Sequence, residues 1–141
     1  MKQKTSYPNN EGIMQRFYAK VAEIAATKQI ILPKSYYRYS FCRCWNCKKE
    51  TLVFSWPGKK SNAKPFVEPR PASIQYQFSK TSQMKYWANA CIHCGALQGD
   101  FFLYNEPDGP FWKFDCGEDA TTAFEEDQTK LAEYLNQIGE L

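Results

Sequence analysis

No apolar run in this sequence approaches the roughly 20 residues that a membrane-crossing helix needs. Met1 to Asn10 are polar and hold no apolar core of the kind a secretory signal carries. Both absences lead us to expect a soluble, cytoplasmic chain. Histidine is nearly missing, with His93 standing alone among 141 residues. Neither a Ser-His-acid pattern nor a phosphate-binding glycine loop occurs, so nucleophilic and nucleotide-hydrolysing chemistry lack their usual carriers. The expectation is a protein that is not an enzyme. Acids are scarce in residues 1–86, where 4 face 16 Lys and Arg, a net charge of +12. Residues 87–141 reverse this with 11 acids against 2 Lys, a net charge of −9. Such a split marks either a basic binding face or two halves that neutralise each other on folding.

What is present suits one ordinary domain spanning 1–141. The chain is 43% hydrophobic and 16% aromatic, enough for a core and too much for wholesale disorder. Ile13, Phe17, Val21 and Ile24 recur at helical spacing, which predicts a helix over 10–29 capped by Asn9 or Asn10 and stopped by Pro33. Tyr37, Tyr39 and Phe41 alternate with Arg38 and Ser40, and Leu52, Phe54 and Trp56 share one face, so a hairpin is expected. Residues 57–71 hold Pro57, Gly58, Pro65, Pro69 and Pro71 among Lys59, Lys60, Lys64 and Arg70. Proline removes ladder donors and charge resists burial, so these residues read as a solvated basic loop. Ile74, Tyr76 and Phe78 alternate again, and Phe101 to Tyr104 read as a buried strand followed by a turn. Thr122 with Glu125 fits a capping box, and Phe124, Leu131, Leu135 and Ile138 give a second helix over 121–138 an apolar face. The fold class is therefore α+β: a small antiparallel sheet over 36–114, flanked by an N-terminal and a C-terminal helix.

A metal site is legible in the cysteines. Six could form three disulfides in a secreted domain, but four fall in two Cys-x-x-Cys pairs, Cys44 with Cys47 and Cys91 with Cys94. That spacing turns two thiolates of one tight turn toward the same ion, and two such pairs complete the tetrahedron of one structural zinc, which makes the expected sheet a zinc-ribbon sheet. Gly95 is placed for the positive φ these turns often need. Cys42, two residues before Cys44, is a competing ligand; Cys116 reads as a free thiol and His93 as an outward-facing neighbour of the metal. Arg43, Lys48 and Lys49 flank the first turn and either offset the anionic zinc–thiolate centre or contact phosphate.

The segment Trp87-Ala88-Asn89-Ala90-Cys91-Ile92-His93-Cys94-Gly95-Ala96-Leu97-Gln98-Gly99-Asp100-Phe101-Phe102 resembles zinc-ribbon domains of bacterial accessory proteins, and the Cys44–Trp56 hairpin has the same style. The resemblance covers residues 38–112. It implies a four-cysteine zinc fold and brings no catalytic residue with it. Two functions remain open. A protein-binding module, such as an inhibitor, immunity or assembly factor, would use the acidic stretch Glu118 to Asp127 toward a basic protein partner. A nucleic-acid-binding module would use Arg38, Lys48, Lys49, Lys59, Lys60, Lys64 and Trp45. The first is favoured.

Overall fold

The structure, a computed structural model, describes residues 10–59, 63–106, 109–111 and 134–136. Helix α1 spans Asn10–Ala26. Phe17, Val21 and Ile24 are buried along one stripe, as the spacing predicts, while the Ile13 side chain lies outside the described set. The helix ends before Pro33 is reached. Gln29 adopts φ 55°, the Ile30 N–H donates to Ala25 O at 2.9 Å and the Gln29 N–H to Ala26 O at 3.3 Å. This is a Schellman closure, which satisfies the last carbonyls and turns the chain away.

Strands β1 (Arg38–Arg43) and β2 (Glu50–Ser55) pair antiparallel, with Tyr39 opposite Phe54 and Phe41 opposite Leu52. Every residue from Arg38 to Cys42 and from Thr51 to Ser55 is buried, so this ribbon is covered on both faces rather than on one. Phe17 of α1 lies 6.4 Å from the Tyr39 ring and 6.1 Å from the Phe41 ring. Strands β3 (Ile74–Ser79), β4 (Met84–Ala90) and β5 (Leu97–Gln98) form a second antiparallel sheet in that order. The expected single sheet is thus two, and among the described residues no ladder joins them. The buried Asn89 of β4 bridges the gap: its Oδ1 accepts the Phe54 N–H at 2.8 Å, and its Nδ2 donates to Phe54 O at 2.9 Å. One side chain thereby supplies the donor and the acceptor that a neighbouring strand would otherwise provide.

Residues Phe101 to Tyr104 are not a strand. They belong to helix α2 (Asp100–Asn105), with Leu103 and Tyr104 in the core and Phe101 exposed. A run of four apolar residues carries no period, so strand and helix cannot be told apart locally. The chain then folds back against the helix. A Cβ on Gly109 would lie 2.1 Å from Phe102 O, and this approach lets the Phe111 N–H donate to Leu103 O at 2.9 Å. Of the expected C-terminal helix, residues 134–136 are helical. Tyr134 donates its hydroxyl proton to Phe41 O, and its ring meets the Phe41 ring at 5.9 Å. The remainder of 121–138, including Thr122, Glu125 and the acidic stretch from Glu118 to Asp127, lies outside the described residues, as do Cys116 and Trp112.

The described residues of 57–71 also depart from expectation, because they pack. Trp56 Nε1 donates to Ala63 O at 2.8 Å and the Tyr37 hydroxyl to Val67 O at 2.6 Å. Buried aromatic side chains with polar tips need such acceptors, and the loop backbone provides them. Lys59 is only 2% exposed and ion-paired with Asp100. The acid that makes this burial tolerable lies 41 residues away in sequence, so local charge counting assigned Lys59 to solvent.

Asn89→Ala should strand the buried N–H and C=O of Phe54. At about 1 to 3 kcal/mol for each of the two unsatisfied groups, the substitution should cost about 2 to 6 kcal/mol. The measurement is urea denaturation of the metal-loaded chain, and a loss below about 1 kcal/mol would show that the bridge does not hold the sheets together.

Candidate metal centre

Each sheet contributes one hairpin turn to the site. Cys44 and Cys47 lie between β1 and β2, and Cys91 and Cys94 lie between β4 and β5. The two turns share one hydrogen-bond pattern. The N–H of the first cysteine bonds the carbonyl five residues on: Cys44 to Lys49 O at 2.9 Å, Cys91 to Ala96 O at 2.8 Å. The residue after the second cysteine bonds back to the first cysteine's carbonyl, Lys48 to Cys44 O and Gly95 to Cys91 O, each at 3.0 Å. Both of these residues have positive φ, 67° at Lys48 and 81° at Gly95. Glycine adopts that conformation without a Cβ penalty, whereas Lys48 is held there by its turn.

The four Sγ atoms lie within 4.8 Å of one another. Cys44 Sγ is 3.6 Å from Cys94 Sγ, and Cys47 Sγ is 3.7 Å from Cys91 Sγ. These gaps are far longer than the roughly 2.0 Å of a disulfide. Sulfurs at tetrahedral corners about 2.3 Å from one zinc would stand roughly 3.8 Å apart. The donor set and its spacing therefore fit a tetrahedral thiolate-bound ion. Cys42 is not part of the cluster. It sits buried on β1 opposite Thr51, and burial pushes its thiol well above the ordinary range.

Polar groups from both turns converge on the sulfurs. The Asn46 and His93 N–H groups each lie 3.3 Å from the first sulfur of their own turn, Cys44 and Cys91. Gln98 Nε2 donates to Cys44 Sγ at 3.3 Å, and Asn46 Nδ2 to Cys94 Sγ at 3.5 Å. Burial alone would raise the Cys44 thiol, but the Cys47 and Asn46 N–H groups and the Gln98 amide outweigh it and hold the thiol low. The Asn46 amide, with the Ala96 N–H, pulls Cys94 down to about 6. The Lys49 N–H favours the Cys47 thiolate, yet burial and the thiols of Cys91, Cys94 and Cys44 together push it up to about 11. Four negative sulfurs this close resist ionising together, and a bound dication removes that resistance.

The turns also reach across to the opposite sheet. Trp45 Nε1 donates to Leu97 O at 2.8 Å, and His93 Nε2 to Glu50 O at 2.9 Å. Ile92 N–H donates to Thr51 Oγ1 at 2.9 Å. His93 is thus a half-buried strut between the sheets and lies outside the sulfur cluster. Asn46, Thr51 and Gln98 were not singled out in the sequence. An amide inside the first turn and a glutamine four residues after Cys94 were the available signals.

Of the basic candidates, Arg38 and Lys59 are buried and cannot meet phosphate. Lys48 Nζ donates to Trp45 O at 2.6 Å, Lys64 Nζ lies 5.6 Å from the Trp87 ring centre, and Lys60 lies outside the described residues. Arg43 and Lys49 are exposed beside the first turn. Trp45 is exposed and borders a groove of roughly 900 Å³ that runs between the β3–β4 turn and α2. Phe78, Met84 and Phe101, all exposed, line the same groove.

No family model, characterised protein or solved structure matches the chain, and what the structure supports is a four-cysteine cluster at metal-binding distance.

Gln98→Ala should lower divalent-metal affinity about tenfold, the lower end of the effect of removing a group that hydrogen-bonds a ligand. Without the amide the Cys44 thiol rises, so protons should displace the metal at a higher pH than in the parent chain. Chelator competition at several pH values measures both effects. An unchanged affinity would show that Gln98 does not tune the site.

Proposed function

We propose that this chain is a zinc-ribbon protein that acts without catalysis, as a protein-binding module of the inhibitor, immunity or assembly type. Zinc is favoured for the metal because four cysteine sulfurs at tetrahedral spacing form the donor set it prefers for structural roles. Four thiolates leave no open position for substrate, which argues against catalysis at that ion. Reduced thiols suit a reducing compartment such as the bacterial cytoplasm.

The observation that carries the binding assignment is the groove beside the metal. Trp45, Phe78, Met84 and Phe101 present large apolar side chains to solvent around one concavity. Single exposed apolar residues are ordinary, but several around one cleft mark an interaction site. Aromatic and methionine side chains are also the types enriched at protein interfaces. Nucleic-acid binding remains the second reading. Burial of Arg38 and Lys59 removes two of its contacts, leaving Lys48, Lys49 and Lys64 as its exposed candidates among the described residues.

Purified protein should carry about one zinc per chain, and Cys44→Ser or Cys94→Ser should abolish both zinc content and cooperative melting. A metal-free chain that melts cooperatively at the same temperature would overturn the structural role. A second test compares partner capture by the parent chain, by Phe78→Ser/Phe101→Ser and by Lys49→Glu/Lys64→Glu. Protein binding through the groove predicts loss in the first variant only. Loss in the second variant only, together with sensitivity to nuclease, would favour nucleic acid.

A further inference from the structure

The β3–β4 hairpin has a second face, turned away from the groove. Residues directly opposite each other in an antiparallel pair share a face, and the register sets Ile74 against Asn89, Tyr76 against Trp87 and Phe78 against Lys85. Ile74 and Asn89 are buried at the junction with the β1–β2 ribbon. Beyond them the row comes out into solvent. Tyr76 is 52% exposed and Trp87 half-buried, with their ring centres 5.4 Å apart. Ser79, Met84 and Tyr86, which line the groove, belong to the opposite face.

Cations sit along these rings. Lys64 Nζ lies 5.6 Å and Arg70 Cζ 4.9 Å from the Trp87 ring centre, and Lys85 Nζ lies 5.5 Å from that of Tyr76. Residues 63–90 carry four cations and one acid. That acid, Glu68, is 3.9 Å from Arg70, while Lys64 and Lys85 are exposed and have no carboxylate partner among the described residues.

The ligand that fits such a face combines flat apolar surfaces with repeated negative charge. A single strand of nucleic acid has both: its bases stack on aromatic rings and guanidinium planes, and its phosphates meet lysine. A duplex keeps its base faces stacked inside the helix and offers only the charge. A cation over an exposed ring is weakly held, so Lys64 and Lys85 can turn to phosphate and leave the rings to the bases. An acidic peptide would use the cations and leave Tyr76 and Trp87 idle.

We propose that the Tyr76–Trp87 face of the β3–β4 hairpin binds single-stranded nucleic acid, with bases stacked on Tyr76 and on the Arg70–Trp87 pair and phosphates paired with Lys64 and Lys85. None of these contacts involves the 2′-hydroxyl, so RNA and DNA strands bind alike. This inference goes beyond the groove reading and uses residues that do not line the groove, so either can fail without the other.

The test is fluorescence anisotropy of the zinc-loaded full chain with labelled oligo(dT) and oligo(U) of about 12 nucleotides, within the span such surfaces cover. A duplex of the same length and a polyglutamate peptide are the controls. Both single strands should bind, and the duplex about tenfold more weakly. Tyr76→Ala should weaken single-strand binding about tenfold, as expected for one lost stack. Lys64→Gln/Lys85→Gln should lower the slope of log affinity against log salt by about 1.4, at about 0.7 for each single-strand phosphate. All three side chains are exposed, so the variants should fold, with zinc content as the check. In the parent chain, nuclear magnetic resonance should show oligo(dT) shifting the amide resonances of Tyr76, Lys85 and Trp87, a readout that needs no variant. No binding of either strand at about 10⁻⁴ M and low salt, the weak end of non-specific nucleic-acid affinity, would overturn the proposal. So would an unchanged affinity in Tyr76→Ala, or a duplex bound as tightly as the single strands, because the face would then be a charged patch that stacks nothing. Polyglutamate bound as tightly as oligo(dT) would overturn it in favour of an acidic protein. Binding confined to one sugar would overturn the claim that stacking and charge alone hold the strand.

Discussion

Four sulfurs hold together two sheets that share no backbone ladder among the described residues. Each sheet brings two cysteines on one turn, and neither turn can complete a tetrahedral site alone. The remaining cross-sheet contacts repeat that arrangement. The first turn reaches β5 through Trp45 and Leu97, and the second reaches β2 through His93 and Glu50 and through Ile92 and Thr51. Two residues before Cys91, Asn89 pairs with the Phe54 backbone. The relative placement of the sheets thus rests on a metal-sized cluster and on a buried amide close beside it, across the ladder from the Gln98 that bonds Cys44.

The core explains why so small a system tolerates this division. The β1–β2 ribbon is buried on both faces, and Phe17, Tyr134, Leu103 and Phe111 from four other parts of the chain pack into the same cluster. The ribbon works as a central layer and the cysteine turn as its protruding edge. The described residues of 57–71 belong to this packing as well, because the carbonyls of Ala63 and Val67 accept from the polar tips of Trp56 and Tyr37.

How much of this was legible in the sequence depended on how local each signal was. The Cys-x-x-Cys turns, the Phe17–Val21–Ile24 stripe and the alternation around Tyr39 and Phe41 are short-range patterns, and each appears where its period places it. What was missed depends on distant partners. Lys59 reads as solvated until Asp100 is brought beside it, and Gln98 reads as an ordinary polar residue until Cys44 stands next to it. Phe101 to Tyr104 lacked a period, so tertiary packing of Leu103 and Tyr104 decided in favour of a helix. Two sheets rather than one escaped detection because a side-chain amide, not a strand, fills the gap between them. The helix at 10–29 stops short because a glutamine, rather than the usual glycine, takes the left-handed position.

Trp45 has two attachments whose conjunction has a thermodynamic consequence. It stands between two metal-site cysteines, and its ring, tethered to Leu97, forms part of the groove wall. Any free energy by which the ion orders that turn is shared with whatever contacts the ring. Linkage requires the exchange to be reciprocal: a factor by which the ion tightens groove occupancy is the same factor by which an occupant tightens the ion. On the proposed docking reading, an ion in this position would also serve recognition, and withholding it would weaken groove occupancy together with the fold.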